Sequence, residues 1–508
     1  MSQGGTLTGI HDVNTGLGLD LQPYVALRAR HDWSKAKRGA GLSATAGGNA
    51  FYRVTSALTG TVTVNPDFSD APLDIRQVNT TRFSLFLPET RSFFLQDAAS
   101  FEFGGRPFRR DSDDTQSNNG RPLFSRNIGL VKGQPVSLIG GGKLSGEYGG
   151  FDIGALSVMT DATPTGPGQL LSVLRMTKHV FSQSQLGFIV TDGDPTGLSR
   201  NSVVGTDFQY RDSTTFNGDT IQGDFYYERS FSSTAGNDDS YGASLGYPNE
   251  PWFGDLTYKV VGADFTPALG FVNRHAVRLY DASAGYRLRF TKYFLRTWEA
   301  TMRQQFFTNL RGRLESRVNQ AGMEILTATD HDVQVALISS AEYLTSPFVA
   351  PRNVVVPAGD YSWTNVFFHW QTSTADVLSF LSEVTCCSYY NGHNEQGHFQ
   401  VNYRPTEVYE LQLGYDPSFI TLPAGHVNIH VASLTGVVNF TPDMQIGLQA
   451  QYDNISGNIG FLARYRWEFR PGSDILLAVG QSAVVPAGLG IQPQVTQASL
   501  RVTHTLRF

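Results

Sequence analysis

Apolar and polar residues alternate one by one along most of this chain. Tyr465, Trp467 and Phe469 are interleaved with Arg464, Arg466, Glu468 and Arg470; Met444, Ile446, Leu448, Ala450 and Tyr452 are interleaved with Gln445, Gly447, Gln449 and Gln451. The same period recurs at Tyr286, Leu288 and Phe290 around Arg287 and Arg289, and at Val427, Ile429 and Val431 around Asn428 and His430. Val25, Leu27 and Ala29 follow it around Arg28 and Arg30, less regularly through Ala26. A strand sends successive side chains to opposite faces, so each stretch predicts a strand with one apolar and one polar face. The stretches run to about 9–14 residues, beyond the usual soluble strand of about 5–6 and close to the ~9–11 that cross a bilayer at a tilt.

Composition decides what the apolar face meets. Charged residues make up 17% of the 508, against roughly 25% in a soluble domain, while aromatics reach 12% and glycines number 52. No apolar run approaches the ~18 residues of a spanning helix. The expected fold is therefore all-β: one closed antiparallel transmembrane β-barrel over residues 1–508, of roughly 20–26 strands, with apolar side chains toward lipid and polar ones toward the lumen. Aromatic pairs at Phe225-Tyr226-Tyr227, Trp252-Phe253 and Tyr389-Tyr390 are expected at strand ends, in interfacial girdles. The last ten residues alternate too, with Leu500, Val502, Leu506 and Phe508 on one face and His504 breaking that face's apolar character. A terminal strand ending in Phe508 resembles the signal read by the barrel-insertion machinery of bacterial outer membranes. Outer-membrane lipid and that machinery are the expected partners. A net charge of −6 argues against nucleic acid, which is bound through clustered Lys and Arg.

One region does not alternate. Over residues 65–128, Pro66, Pro72 and Pro88 interrupt any central strand. Arg76, Arg82 and Arg91 are interleaved there with Asp67, Asp70, Asp74 and Glu89, and Phe83, Phe86, Phe93, Phe94, Phe101 and Phe103 provide an aromatic cluster. This predicts a folded insert held by Arg–carboxylate pairs, a candidate lumenal plug or constriction, since a wide barrel is either filled or left as a channel.

Within the insert, Asn65-Pro66-Asp67-Phe68, Gln77-Val78-Asn79, Thr81-Arg82-Phe83, Pro88-Glu89 followed by Arg91 and Phe93-Phe94, and Ser125-Arg126 followed by Ile128-Gly129 form a specific pattern. It continues through Gly142-Lys143-Leu144-Ser145-Gly146, residues 354–361, Leu422 to Gly425, Gln451 to Asn454 and Arg470 to Asp474. The pattern resembles an uncharacterised bacterial family of outer-membrane barrels that follow a carbohydrate-binding domain of the family-nine type. That resemblance implies a glycan as one candidate solute.

No enzyme or metal motif stands out. Gly140-Gly141-Gly142-Lys143 lacks the Ser or Thr of a phosphate loop, because Leu144 follows. His426 and His430 have zinc-helix spacing, but on a strand they stand about 13 Å apart. The adjacent Cys386 and Cys387, with His393 and His398, match no standard site. Asp111, Asp113 and Asp114 lack the closing Glu of a calcium loop. No cofactor is expected. The strongest chemical feature is arginine on the lumenal phase: Arg28, Arg30, Arg287, Arg289, Arg464, Arg466 and Arg470, with Arg501 and Arg507. Such residues either select anions and bind sugar hydroxyls in a pore or pair with carboxylates of the wall and insert. The expected function is channel- or transporter-like passage of a polar solute. The alternatives are a plugged barrel that anchors or exports an N-terminal carbohydrate-binding domain, and a barrel-embedded hydrolase.

Overall fold

The computed structural model describes residues 16–33, 40–104, 118–131, 133–162, 166–216, 218–292, 294–486 and 490–508. Twenty-four antiparallel strands, each paired with its neighbours in chain order, close into one barrel. Two further pieces of two residues, Ser388–Tyr389 and Leu506–Arg507, extend the same sheet. The seam joins Leu19–Asp32 to Gln492–Thr503, with Tyr24 opposite Thr503 and Asp32 opposite Val495. Leu506–Arg507 continues that register, Leu21 facing Leu506. The ladder skips one place at His504 because its partner is Pro23, which has no N–H to give; only the His504 N–H to Pro23 carbonyl bond is made there, at 3.1 Å.

Side-chain exposure follows the sequence alternation. Val25 and Leu27 are 57% and 46% exposed, whereas Tyr24 and Ala26, which alternate with them, are buried. Trp467 and Phe469 point outward as well, as do Leu500, Val502, Leu506 and Phe508. The outer surface is thus a continuous apolar skin, unfavourable in water and matched by hydrocarbon. Phe225, Tyr226 and Tyr227 depart from the girdle expectation. They sit in the middle of Asp219–Ser232, with Phe225 and Tyr227 facing out and Tyr226 turned inward. Trp252, first residue of Trp252–Val261, does lie at a strand end and is exposed.

The two rims differ. At the rim that holds Leu19 and Thr503, connections are short, from 149–150 to 372–377. At the other rim they include 262–276, 345–358 and the long excursion 65–137, which leaves Leu58–Val64 and returns through its hairpin partner Leu138–Tyr148. The loop 345–358 folds inward, and Ala350, Val354 and Val356 bury the inner apolar ends of Tyr409–Leu422 and Gly425–Thr441 at Ile420, Leu422, Val427 and Ile429. The 262–276 loop does the same with Phe265 and Leu269.

The outward assignment has a direct check. Leu337 is exposed at mid-strand, whereas Gln320, on the neighbouring strand, belongs to the opposite phase. Leu337→Arg is expected to cost about 2–4 kcal/mol in denaturant unfolding from liposomes and Gln320→Arg less than about 1 kcal/mol. Equal costs would overturn the assignment.

Candidate functional site

The excursion 65–137 lies against the inner face of the wall. Its first stretch is tied to the seam: Arg28 Nη2 stands 3.2 Å from Asp67 Oδ1, and Arg501 Nη1 3.8 Å from Asp67 Oδ2. Arg464 donates to the Asp70 carbonyl, and Arg501 comes within 4.0 Å of the Asp70 carboxylate. The chain then runs along Met444–Asp453. There the Leu73 and Arg76 amides donate to Gln449 and Gln451 at 2.9 and 2.6 Å, and Arg76 Nη1 meets Asp453 at 2.7 Å. Farther round, Tyr389 donates to the Thr80 carbonyl, Arg82 meets Glu342 at 2.9 Å, and the Arg274 guanidinium lies 4.4 Å from the Phe83 ring centre.

Glu89 and Arg91 form the insert's internal hub. Arg91 holds Glu89 through two bonds of 2.7 and 2.8 Å and also donates to the Ser125 and Ile128 carbonyls. Burial pushes the Glu89 carboxyl up, but hydrogen bonds from Arg91, Ser125 and the backbone outweigh it and hold the group below its ordinary value. Arg126 pairs with Asp74. Beyond the hub, Lys143 reaches from the wall and donates to the Phe93 and Gln96 carbonyls at 3.0 and 2.6 Å. The Gly104 amide donates to Asp207, itself in a buried pair with Arg175. After residues 105–117, which include Asp111, Asp113 and Asp114 and fall outside the described residues, Asn119 takes a bond from Lys259 and gives one to the Arg274 carbonyl.

The insert is therefore attached right round the inside of the barrel. This differs from a body held mainly by its own ion pairs: Asp67, Arg76 and Arg82 all pair with the wall, and Asp74–Arg126 and Glu89–Arg91 are internal. Close approach is permitted by missing side chains. A Cβ on Gly154 would stand 2.5 Å from the Ser100 carbonyl, and one on Gly205 2.8 Å from the Phe103 ring.

The remaining arginines are divided between the rims. Arg287 and Arg289 flank Glu250 at the short-turn rim, at 3.1 and 2.6 Å, and Arg287 also meets Glu299 at 2.6 Å. The hydrogen bond from Arg289, helped by one from Arg287, depresses Glu250, in the turn, to about 2 against the opposing effect of burial. Arg466 pairs with Glu468 and Asp474, and Arg507 approaches Asp20. Arg30 and Arg470 are exposed and form no ion pair with another described residue. Arg274, buried in the 262–276 loop beside Arg82, is drawn down to about 10 although Glu342 and Glu315 oppose this. Lys143, Arg175, Asp207 and Arg274 carry no signal in sequence, since their partners lie far along the chain. Lys143 does end the glycine run 140–142, which reads as a strand or a turn, and it is on a strand. Cys386 and Cys387 are joined to each other; His398 pairs with Asp416.

Two spaces flank the insert, each of about 770 Å³, the first of mixed lining and the second mainly polar. One lies between Phe68–Arg76 and the last strands, lined by Phe461, Leu462 and Val495 as well as by Gln481 and Gln497. The other lies beside Ala99–Glu102, lined by Asp152, Arg175, His179, Gln185, Gln209 and Asp224.

Glu89 titrates lower in the folded protein than in the open chain. Its contribution is complete above the unfolded carboxyl value of about 4.3 and is lost as pH falls through the lower folded value. Amide exchange over residues 89–104, corrected for intrinsic rate, is expected to speed up by about tenfold on going below pH 4. Glu89→Gln should be fast already at neutral pH and lose that step. Separately, Asp67→Ala, which strands Arg28 and removes one of three carboxylates near Arg501, is expected to cost about 1–3 kcal/mol, read as faster exchange over 66–76.

A family model described as a domain of unknown function (DUF5916) matches residues 15–166, the stretch that carries the insert. No curated protein matches the sequence. Among solved structures, the siderophore receptor PirA from Pseudomonas aeruginosa superposes with a TM-score of 0.45 at 7% identity, over 95% of this chain and 80% of that one. The ferric yersiniabactin uptake receptor FyuA from Yersinia pestis gives 0.41 at 10%, over 96% and 80%. OpdQ from Pseudomonas aeruginosa gives 0.31 at 8%, over 96% and 97%. The chain's own geometry fixes its class. A closed wall with an even number of antiparallel strands, an apolar exterior and short turns on the rim of the first and last strands is a bacterial outer-membrane barrel.

Proposed function

We propose that this barrel passes a polar solute across the outer membrane by way of side passages left between the insert and the wall. The observation that carries this reading is the pair of 770 Å³ spaces on either side of the insert, the one beside Ala99–Glu102 mainly polar and the other mixed. Size supports it. Twenty-four strands about 4.8 Å apart, tilted by about 40°, enclose a lumen about 48 Å across from backbone to backbone. A compact body of the insert's length has a radius of gyration of about 11 Å, or a width near 30 Å. It narrows such a lumen without filling it.

The arginines argue for weak ion selectivity. Arg28, Arg287, Arg289, Arg464 and Arg466 each engage a carboxylate or carbonyl, so little uncompensated positive charge faces the passages. Glutamine, serine and asparagine there suit hydroxyl-rich solutes, and the resemblance to barrels that follow carbohydrate-binding domains makes a glycan the favoured one. The second reading, a sealed barrel that anchors an N-terminal domain, is favoured by the insert's attachment all the way round.

Planar-bilayer recording separates the two. The intact chain is expected to give steady, weakly selective steps, increased several-fold by deletion of residues 67–125, and neutral oligosaccharides should interrupt the current. Silence from the intact chain with large steps after deletion favours the anchor. Silence from both, with insertion shown, ends the passage reading; unblocked current ends the glycan assignment alone.

A further inference from the structure

The outside of the wall carries an apolar groove of about 390 Å³, walled by Leu245, Leu256, Tyr280 and Phe306. Leu245, Leu256 and Tyr280 are exposed, so the groove is on the face toward lipid. Ala243 stands opposite Tyr258 and Ala282 opposite Leu256, and each methyl leaves room beside a large side chain. Tyr258 and Tyr280 face each other with ring centres 5.1 Å apart, three residues from the long-loop ends of Trp252–Val261 and Val277–Arg289. Tyrosines at that level mark the headgroup region of a bilayer, and the groove continues from them toward the hydrocarbon.

Arginine adjoins the groove at that level. Val277, Leu279 and Phe307 point into the core beneath the 262–276 loop, so Arg278 and Thr308 between and beside them take the outward phase. Arg278 stands opposite Thr308, and on the next strand Arg317 stands opposite Phe306. The two arginines are therefore about 10 Å apart, two strand spacings, close enough for both guanidiniums to meet one anion. Neither forms an ion pair with another described residue. Arg317 Nε and Thr308 Oγ1 are buried with no hydrogen-bond partner. Two carboxylates of the same rim are taken by other arginines, Asp239 by Arg229 at 3.2 Å and Glu315 by Arg274 at 3.3 Å. Arg313, in the adjoining turn, lies 3.5 Å from the Tyr343 ring centre and extends the positive charge.

We infer that this surface holds a phosphate-bearing lipid of the surrounding membrane, an acyl chain in the groove and the phosphate on Arg278 and Arg317. A charged side chain turned toward lipid is unfavourable without a counter-charge, and an anionic headgroup supplies one. Planar guanidiniums take phosphate oxygens through paired hydrogen bonds. The acyl chain is in hydrocarbon before it binds, so the groove adds packing alone and the headgroup carries most of the preference. The site lies outside the wall and is independent of what crosses the lumen.

The test titrates dioleoyl phosphatidic acid against the full chain in a non-ionic detergent and counts adducts by native mass spectrometry. A single adduct is expected to saturate before others appear. Phosphatidylcholine with the same chains, whose choline cancels the phosphate charge, should bind about tenfold less tightly. Arg278→Gln combined with Arg317→Gln should abolish that difference and leave phosphatidylcholine binding unchanged, which also shows the variant to be folded. Ala282→Trp, which fills the groove and spares the arginines, should weaken both lipids several-fold. Inorganic phosphate at millimolar concentration should displace neither. Adducts that do not saturate, a preference that survives the double substitution, binding untouched by Ala282→Trp, or displacement by inorganic phosphate would each overturn the assignment.

Discussion

Hydrocarbon offers a backbone amide no partner, and the architecture of this protein follows from that constraint. Every N–H and C=O within the membrane must be satisfied by another strand, so the sheet has to close on itself. The seam between Leu19–Asp32 and Gln492–Thr503 provides that closure, and the place where it falters, at Pro23, is near the rim. Closure with twenty-four strands yields a lumen that side chains alone cannot fill. What occupies that lumen is then the question on which function turns, and here the occupant comes from the wall's own chain.

The wall was legible because its signal is local. A period of two survives in sequence wherever one face meets lipid and the other does not, which is why Leu27, Leu448 and Trp467 could be placed outward before any contact was known. The insert was legible by contrast, through Pro66, Pro72 and Pro88 and through charge density. What could not be read were the joints between the two. Arg76 meets Asp453 at a separation of 377 residues, and nothing in the neighbourhood of either residue announces the other. Lys143 is the clearest case: the glycine run before it reads as a strand or a turn and is a strand, yet the destination of the ammonium lies in a different part of the chain. Aromatics misled in two places: Tyr389-Tyr390, expected in a girdle, pack inward with Val354 and Ile420, and Tyr389 donates to the Thr80 carbonyl of the insert. Phe225-Tyr226-Tyr227 reads as an interfacial girdle, but Tyr226 faces inward to pack on Phe103, because the wall must also complement its insert.

Charge does two jobs in this protein. Where arginine meets carboxylate between insert and wall, the carboxylates of Asp67, Asp453 and Glu342 are largely buried while their arginines keep part of their surface exposed, and removing the arginine leaves a buried carboxylate without its ion-pair partner. At the short-turn rim the same chemistry, with Glu250 between Arg287 and Arg289, is close to solvent and contributes far less to stability. A chain with 17% charged residues thus concentrates much of its charge where the barrel meets its contents.

The insert leaves at Val64 and returns at Leu138, and the strands on either side are hydrogen-bonded to each other. Topologically it is the loop of an ordinary hairpin, so the wall can be completed around it without threading. Lengthening a connection from four residues to about seventy adds only about 2.6 kcal/mol of closure entropy, an amount a few of the joints with the wall offset. Assembly can therefore proceed in two steps, the cylinder first and its contents afterwards. The same arrangement allows a lineage to exchange what fills the cylinder without rebuilding the cylinder.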